Sequence, residues 1–213
     1  MKYLRFVRAS ITCSLALGMF AAALSAFTPQ TAAPLTIGSG RLTITGTSSV
    51  HDWTATTGAV RITKAQLAPQ VTGAAMWDEA VKPGALEAFD IAVAAGTLKS
   101  SKEGLDKNMY KALKTTQHPD VSFRLVKMEA GAAAGALKAV GMLSIAGVGR
   151  EVALELTALA KDATLVVKGS LPLVMTDYGI APPKAMLGMI KTNPKVTVTF
   201  EIALAVANTV ATR

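Results

Sequence analysis

From about residue 35 onward the apolar residues recur with period two, the signature of strands whose alternate side chains face opposite sides of a sheet. The clearest stretch is KVTVTFEIAL. It puts Val196, Val198, Phe200, Ile202 and Leu204 on one face and Lys195, Thr197, Thr199 and Glu201 on the other. In VSFRLVK, Val121, Phe123 and Leu125 share a face, with Ser122, Arg124 and, less regularly, Lys127 opposite. EVALELTALA sets Val152, Leu154 and Leu156 against Glu151 and Glu155. Adding RLTITG, VHDWTATTGAVRI, ALEAFDIAVAAG, ALKAVGMLSIAG and TLVVKGSLPLVM predicts about eight strands. AGVGREV joins two of them through Gly147-Val148-Gly149, a short glycine loop of the hairpin kind. Strands adjacent in sequence are therefore expected to be adjacent in space and antiparallel.

Two segments break this rhythm. Ser100-Ser101-Lys102-Glu103 reads as a capping box, with Ser100 as N-cap and Glu103 three residues on, opening a helix through about Leu113. Leu105, Met109 and Leu113 form a narrow apolar stripe on it, with Lys102, Lys107, Lys111 and Lys114 outside the stripe. Such a helix fits across a barrel end. The second break is TDYGIAPPKAMLGMIKTNP. Gly179, Pro182, Pro183 and Pro194 forbid a long regular element there, while Met186, Leu187, Met189 and Ile190 stay apolar, the pattern of a covering loop. Eight antiparallel strands with one apolar face each fit either a two-layer sandwich or a closed barrel. A closed eight-stranded barrel has room for one small ligand and exposes no edge. An outer-membrane barrel would reverse the faces and carry aromatic girdles. Aromatics are only 5% of this chain, which argues against one.

The N-terminus follows a different logic. MKYLRFVR carries Lys2, Arg5 and Arg8 without an acid, ITCSLALGMFAAAL is uninterruptedly apolar, and Ala23-Leu24-Ser25 supplies small residues. These are the three parts of an export signal, and the apolar run is shorter than the roughly 18 residues a retained span requires. The expected organisation is a signal peptide at 1–26, a short tether at 27–34, one β-barrel domain at 35–207 and a tail at 208–213. The expected location is the periplasm or outside the cell, with no stable transmembrane segment after cleavage. Cys13, the single cysteine, lies within the signal and not at a lipoprotein position, so no disulfide can help hold the mature fold. Three of the 22 basic residues also leave with the signal, and 19 against 14 acidic ones give a net charge near +5. With no run of like charges, nucleic acid is not an expected partner.

Candidate chemistry is sparse. His51 and His118 are the only histidines. His51 and Asp52, adjacent on a strand, would point to opposite faces and make poor triad partners. There is no GxSxG elbow, no HxH or HExxH, and no glycine loop between a strand and a helix. The reading is a non-enzyme with no cofactor and no metal. Trp53, in SSVHDWTA, is expected as a core or rim aromatic with its indole N–H satisfied; the alternative is that Trp53 and His51 touch a ligand's polar head.

In order along the chain, GTSSVHDW (46–53), LKSSKEGLDKNMYKAL (98–113), HPDVSFRL (118–125), GMLSIAGVGREVALEL (141–156) and MTDYGIAPPKAMLGMIKTNPKVTVTFEIAL (175–204) resemble the YceI-like family of lipid- or polyisoprenoid-binding proteins. The sequence departs from the family in GVGR, where a Gly-Val-Thr-Arg/Lys turn is common, and in the alanine-rich AGAAAGALKA. The resemblance implies an all-β, extended, eight-stranded antiparallel lipocalin-like barrel with one short helix. It implies carriage of a polyisoprenoid or other long-chain amphiphilic lipid, without catalysis, and a homodimer is compatible with it. The family transfers no polar motif, so pocket residues come from strand parity: Phe89, Ile91, Phe123, Leu125, Leu143, Ile145, Leu154, Leu156, Met186 and Phe200, with Leu105 and Met109 from the helix and Trp53 at the rim. The alternative is a structural or adhesive β-domain with a solid core.

Overall fold

A computed structural model of the chain describes residues 35–73, 75–133, 136–185 and 189–207. The described elements are β1 (Leu35–Ser48), β2 (Asp52–Thr57), β3 (Val60–Leu67), α1 (Met76–Ala80), β4 (Leu86–Ala94), β5 (Lys99–Ser100), α2 (Glu103–Ala112), β6 (Asp120–Ala130), β7 (Ala136–Ile145), β8 (Val148–Lys161), β9 (Thr164–Val174), β10 (Lys184–Ala185) and β11 (Ile190–Val206). Ten strands follow one hydrogen-bonded path, β3-β4-β6-β7-β8-β9-β11-β1-β2-β5, and β10 pairs with β11 off it. Each pairing is antiparallel.

The class is the expected one, but the strands number more than eight. VHDWTATTGAVRI, read above as one strand, is interrupted at Gly58-Ala59 to give β2 and β3, and the short β5 and β10 carried no alternation to betray them. β1 pairs with β11 along Leu35–Ser48, whereas β2 covers its other edge only from Leu42 to Thr47. Beside the free first half of β1 lies β3, where a Cβ at Gly40 would stand 3.4 Å from the Cβ of Val60. The sheet thus curls round on itself, with a seam between β3 and β1 that side chains fill.

Local chemistry accounts for the irregularities. The β7–β8 hairpin turns at Ala146-Gly147, one step before the segment expected, and both residues have positive φ, 50° and 85°. Positive φ at both central positions is what a tight type I′ hairpin demands and what glycine supplies freely. In β6 the register shifts between Leu125 and Lys127, and the extra residue, Val126, is 61% exposed. This bulge is why Lys127 falls out of the alternation that Val121 and Phe123 keep.

The helix following β5 lies where the stripe predicted, but Ser100 is not its N-cap. Lys102 occupies that position without a side-chain cap, because Ser100 is committed to β5 opposite Ala55. Instead Asp106 accepts hydrogen bonds from the Ser100 hydroxyl (2.7 Å) and backbone N–H (2.8 Å). Tyr110 donates its hydroxyl to the Leu98 carbonyl at 2.6 Å. These bonds tie α2 down on the chain that leads into it.

The interior divides lengthwise. One end is filled by Leu35, Leu67, Val71, Leu165, Ile202 and Leu204, onto which α1 lays Trp77 and Ala80. The other end is bounded by Phe123, Leu143, Ile145, Leu154, Tyr178 and Ile180.

Candidate functional site

The second end contains an apolar cavity of about 190 Å³. Its walls are built by strand parity. Leu42 and Ile44 of β1, Trp53 of β2, Ile91 and Val93 of β4, Val121 and Phe123 of β6, Leu143 and Ile145 of β7, Leu154 of β8, Leu171 and Leu173 of β9, and Val196, Val198 and Phe200 of β11 all face it. Eight strands thus supply the wall, and in the sheet path they are consecutive from β4 to β2. The expected number eight describes the cavity, although it miscounts the sheet.

The roof comes from α2, which contributes Leu105, Met109, Ala112 and Leu113 at helical spacing. Met175, Tyr178, Ile180 and Pro183 add the start of the segment read as a covering loop. The floor is set by two phenyl rings. A Cβ at Gly141 would stand 2.4 Å from the Phe123 ring, and one at Gly169 2.5 Å from the Phe200 ring. The rings lie flat across neighbouring strands only because these two positions have no side chain.

Nine of the thirteen residues proposed from sequence therefore line the cavity: Trp53, Ile91, Leu105, Met109, Phe123, Leu143, Ile145, Leu154 and Phe200. Phe89 does not. It pairs with Ala65 and packs on the filled end, because parity places a residue inside the barrel without saying at which end. Leu125 and Leu156 pack beside the walls without reaching the cavity. Met186 lies outside the described residues. The wall residues missed, such as Leu42, Ile44, Leu171 and Leu173, carried the same alternating signal in RLTITG and TLVVKGSLPLVM.

No Asp, Glu, Lys, Arg or His is among the described lining residues. Tyr178, 3% exposed, has its hydroxyl pKa pushed up by burial, with nearby Arg150 opposing and Asp177 adding to the shift. It stays neutral. The histidines stand elsewhere: His51 is exposed at the β1–β2 turn, 3.3 Å from Lys102 Nζ, and the ring of His118 rests on Gly147. Neither lines the cavity. No helix among the described residues is long and apolar enough to cross a membrane.

A curled antiparallel sheet closed at one end, hollow and, among the described residues, lined without charge at the other, and roofed by one helix, defines the class of lipocalin-like pocket domains. More particularly, the YceI-like domain model matches residues 46–204, and the chain belongs to that family. No curated protein matches it in sequence. Among solved structures it is similar to Burkholderia cenocepacia BcnA, with a TM-score of 0.60 at 11% identity over 77% of this chain and 95% of that one. A polyisoprenoid binding domain from Saccharophagus degradans, implicated in plant cell wall breakdown, superposes with a TM-score of 0.59 at 9% identity over 82% of this chain and 99% of that one. The Campylobacter jejuni YceI protein gives 0.50 at 12% identity over 68% and 79%. At such identities these likenesses concern the fold.

Proposed function

We propose that this protein is an exported, non-catalytic carrier that holds a long-chain isoprenoid or similar amphiphile in the hollow end of its barrel. The observation that carries the reading is the cavity under α2, walled by eight strands and lined, among the described residues, without a charged side chain. Each methylene withdrawn from water into such a wall contributes about 0.8 kcal/mol, so a ten-carbon tail gains about 8 kcal/mol before the costs of ordering and association. A chain bound this way needs no charged anchor. A purely structural domain would gain by filling both ends as it fills one, since empty apolar space forfeits dispersion contacts. The family match supports lipid-type cargo, and the N-terminal signal pattern supports delivery to the periplasm or beyond.

The test is to express the full chain, N-terminal segment included, in a bacterial host and purify it by cell fraction. The expected result is protein in the exported fraction, cleaved near residue 26, that releases a long-chain lipid on solvent extraction and shows the matching mass increment in native mass spectrometry. Exported protein that yields no lipid and takes up none from added extract would overturn the carrier reading.

A further inference from the structure

The outer surface of the roofed end carries two features that the cavity does not use. The first is apolar. Val50, in the turn between β1 and β2, is 65% exposed, and Met189, just before β11, is 72% exposed. Single exposed apolar residues are ordinary, but the segments bearing these two are bonded to one another. The Ser49 N–H donates to the Lys191 carbonyl at 2.9 Å, and the Lys191 N–H donates to the Ser49 hydroxyl at 3.1 Å. The turn is braced from within as well. The Ser48 hydroxyl accepts from the backbone N–H of Val50 at 3.3 Å and of His51 at 3.2 Å, and donates to the His51 carbonyl at 2.8 Å. Val50 is thus held out on a fixed turn. On its other side His51 Nε2 stands 3.3 Å from Lys102 Nζ, which joins the turn to the start of α2.

The second feature is charge, and it lies on the same three segments. Lys107, Lys111 and Lys114 recur at helical spacing on the side of α2 opposite the Leu105, Met109 and Leu113 stripe, with Lys102 before the helix and Lys191 and Lys195 on β11. All six are exposed, and among the described residues none of them makes an ion pair. The exposed acids beside them are Asp52, Glu103 and Asp177. At the filled end the balance reverses. The connections there, 68–85 and 162–163, bring Asp78, Glu79 and Asp162 against Lys82 alone, and Lys82 is paired with Glu79 at 2.6 Å. Exposed aliphatic groups set among cations suit a surface that sits on an anionic bilayer, where the apolar groups enter the acyl boundary and the ammonium groups stay with the lipid phosphates. A soluble anion would satisfy the lysines and leave Val50 and Met189 in water, whereas a bilayer takes both. We propose that the roofed end of the barrel docks on a bilayer containing anionic lipid, with Val50 and Met189 entering it and the lysine side of α2 lying on its surface. This docking goes beyond the carrier reading and stands on the surface residues alone.

The test takes the full chain, purified as above, and measures co-sedimentation with vesicles of phosphatidylglycerol and phosphatidylcholine in equal parts, against vesicles of phosphatidylcholine alone. The mixed vesicles should bind about tenfold more tightly or better, and about 0.5 M salt should remove most of that difference. Lys107→Glu together with Lys111→Glu should weaken binding to the mixed vesicles about tenfold. Val50→Ser together with Met189→Ser should weaken it about fivefold. Val50→Trp should add fluorescence that moves to shorter wavelength with the mixed vesicles. The control is Leu159→Ser, an equally exposed apolar position (68%) on β8 toward the filled end, which should bind as the unmutated chain does. All of these positions are exposed, so the variants keep the fold. Failure to bind the mixed vesicles, equal binding to both kinds, or binding that the lysine and Val50-Met189 variants leave unchanged overturns the docking. Solvent extraction of the same preparation reads the carrier function separately, so either reading can fail while the other stands.

Discussion

The two ends of this barrel are made from the same strands by the same alternation, yet one is solid and the other hollow. β11 runs through both: Ile202 and Leu204 are buried in the filled end, whereas Val196 and Val198 face the cavity. The difference lies in what the connections bring. The segment between β3 and β4 folds back as α1 and puts Trp77, 8% exposed, against Leu35, Leu165 and Ile202. The segment between β5 and β6 gives α2, which lies over its end on Leu105 and Met109 and leaves space beneath. A wide indole plugs one end, and slender side chains roof the other. Occupancy of a barrel is thus decided by its loops as much as by its strands.

The largest test of this contrast is Trp77→Ala. Removing the plug is expected to cost about 3–5 kcal/mol of stability, the range for large aromatics truncated in a core, measured by denaturant unfolding. A loss below about 1 kcal/mol would mean that the filled end is not the stabilising one.

A matched pair sharpens the comparison. Leu204→Phe adds volume where none is free and should destabilise by about 1–3 kcal/mol, whereas Leu143→Phe can swing its added carbons into the cavity and should cost less than about 1 kcal/mol. The second variant should also lose lipid uptake from added extract. Equal costs would show that the hollow end is as tightly constrained as the solid one.

The smallest effect concerns how α2 is held. Hydrogen bonds from the Ser100 side chain and backbone, then burial opposing them and Lys99 at 3.6 Å in support, leave the Asp106 carboxyl below its ordinary pKa. A carboxyl depressed in the folded state stabilises above its unfolded pKa, near 4, and that stabilisation is lost as pH falls through the folded value. The melting temperature should therefore drop on acidification from about pH 5. Asp106→Asn should flatten that acid limb, with ligand binding at neutral pH little changed. An unaltered acid limb would detach Asp106 from the holding of α2.

How far the sequence disclosed this arrangement follows from what alternation can encode. Period two told inside from outside, so the face running from Val196 to Leu204 and the pocket positions Phe123, Leu143 and Leu154 could be read directly. It could not tell one end from the other, and Phe89 was assigned to the pocket although it packs on the filled end. α1 was invisible because five residues, MWDEA, are too few to show a helical stripe. The break at Gly58-Ala59 was hidden because strand-favouring residues continue on both sides of it, Thr56-Thr57 before and Val60 after. Ser100 imitated a cap because its spacing to Glu103 fits the motif, while its backbone was already claimed by Ala55.

The pair of rings laid over Gly141 and Gly169 has a last consequence. On the carrier reading, a tail sliding inward beneath α2 would be halted by Phe123 and Phe200, whose rings fill the space over Gly141 and Gly169 with Leu156 beside them. The barrel would then work as a gauge whose stop is set chiefly by those two rings. Shaving Phe200 would lengthen the admissible chain, and a bulkier residue there would shorten it, with the mouth left as it is.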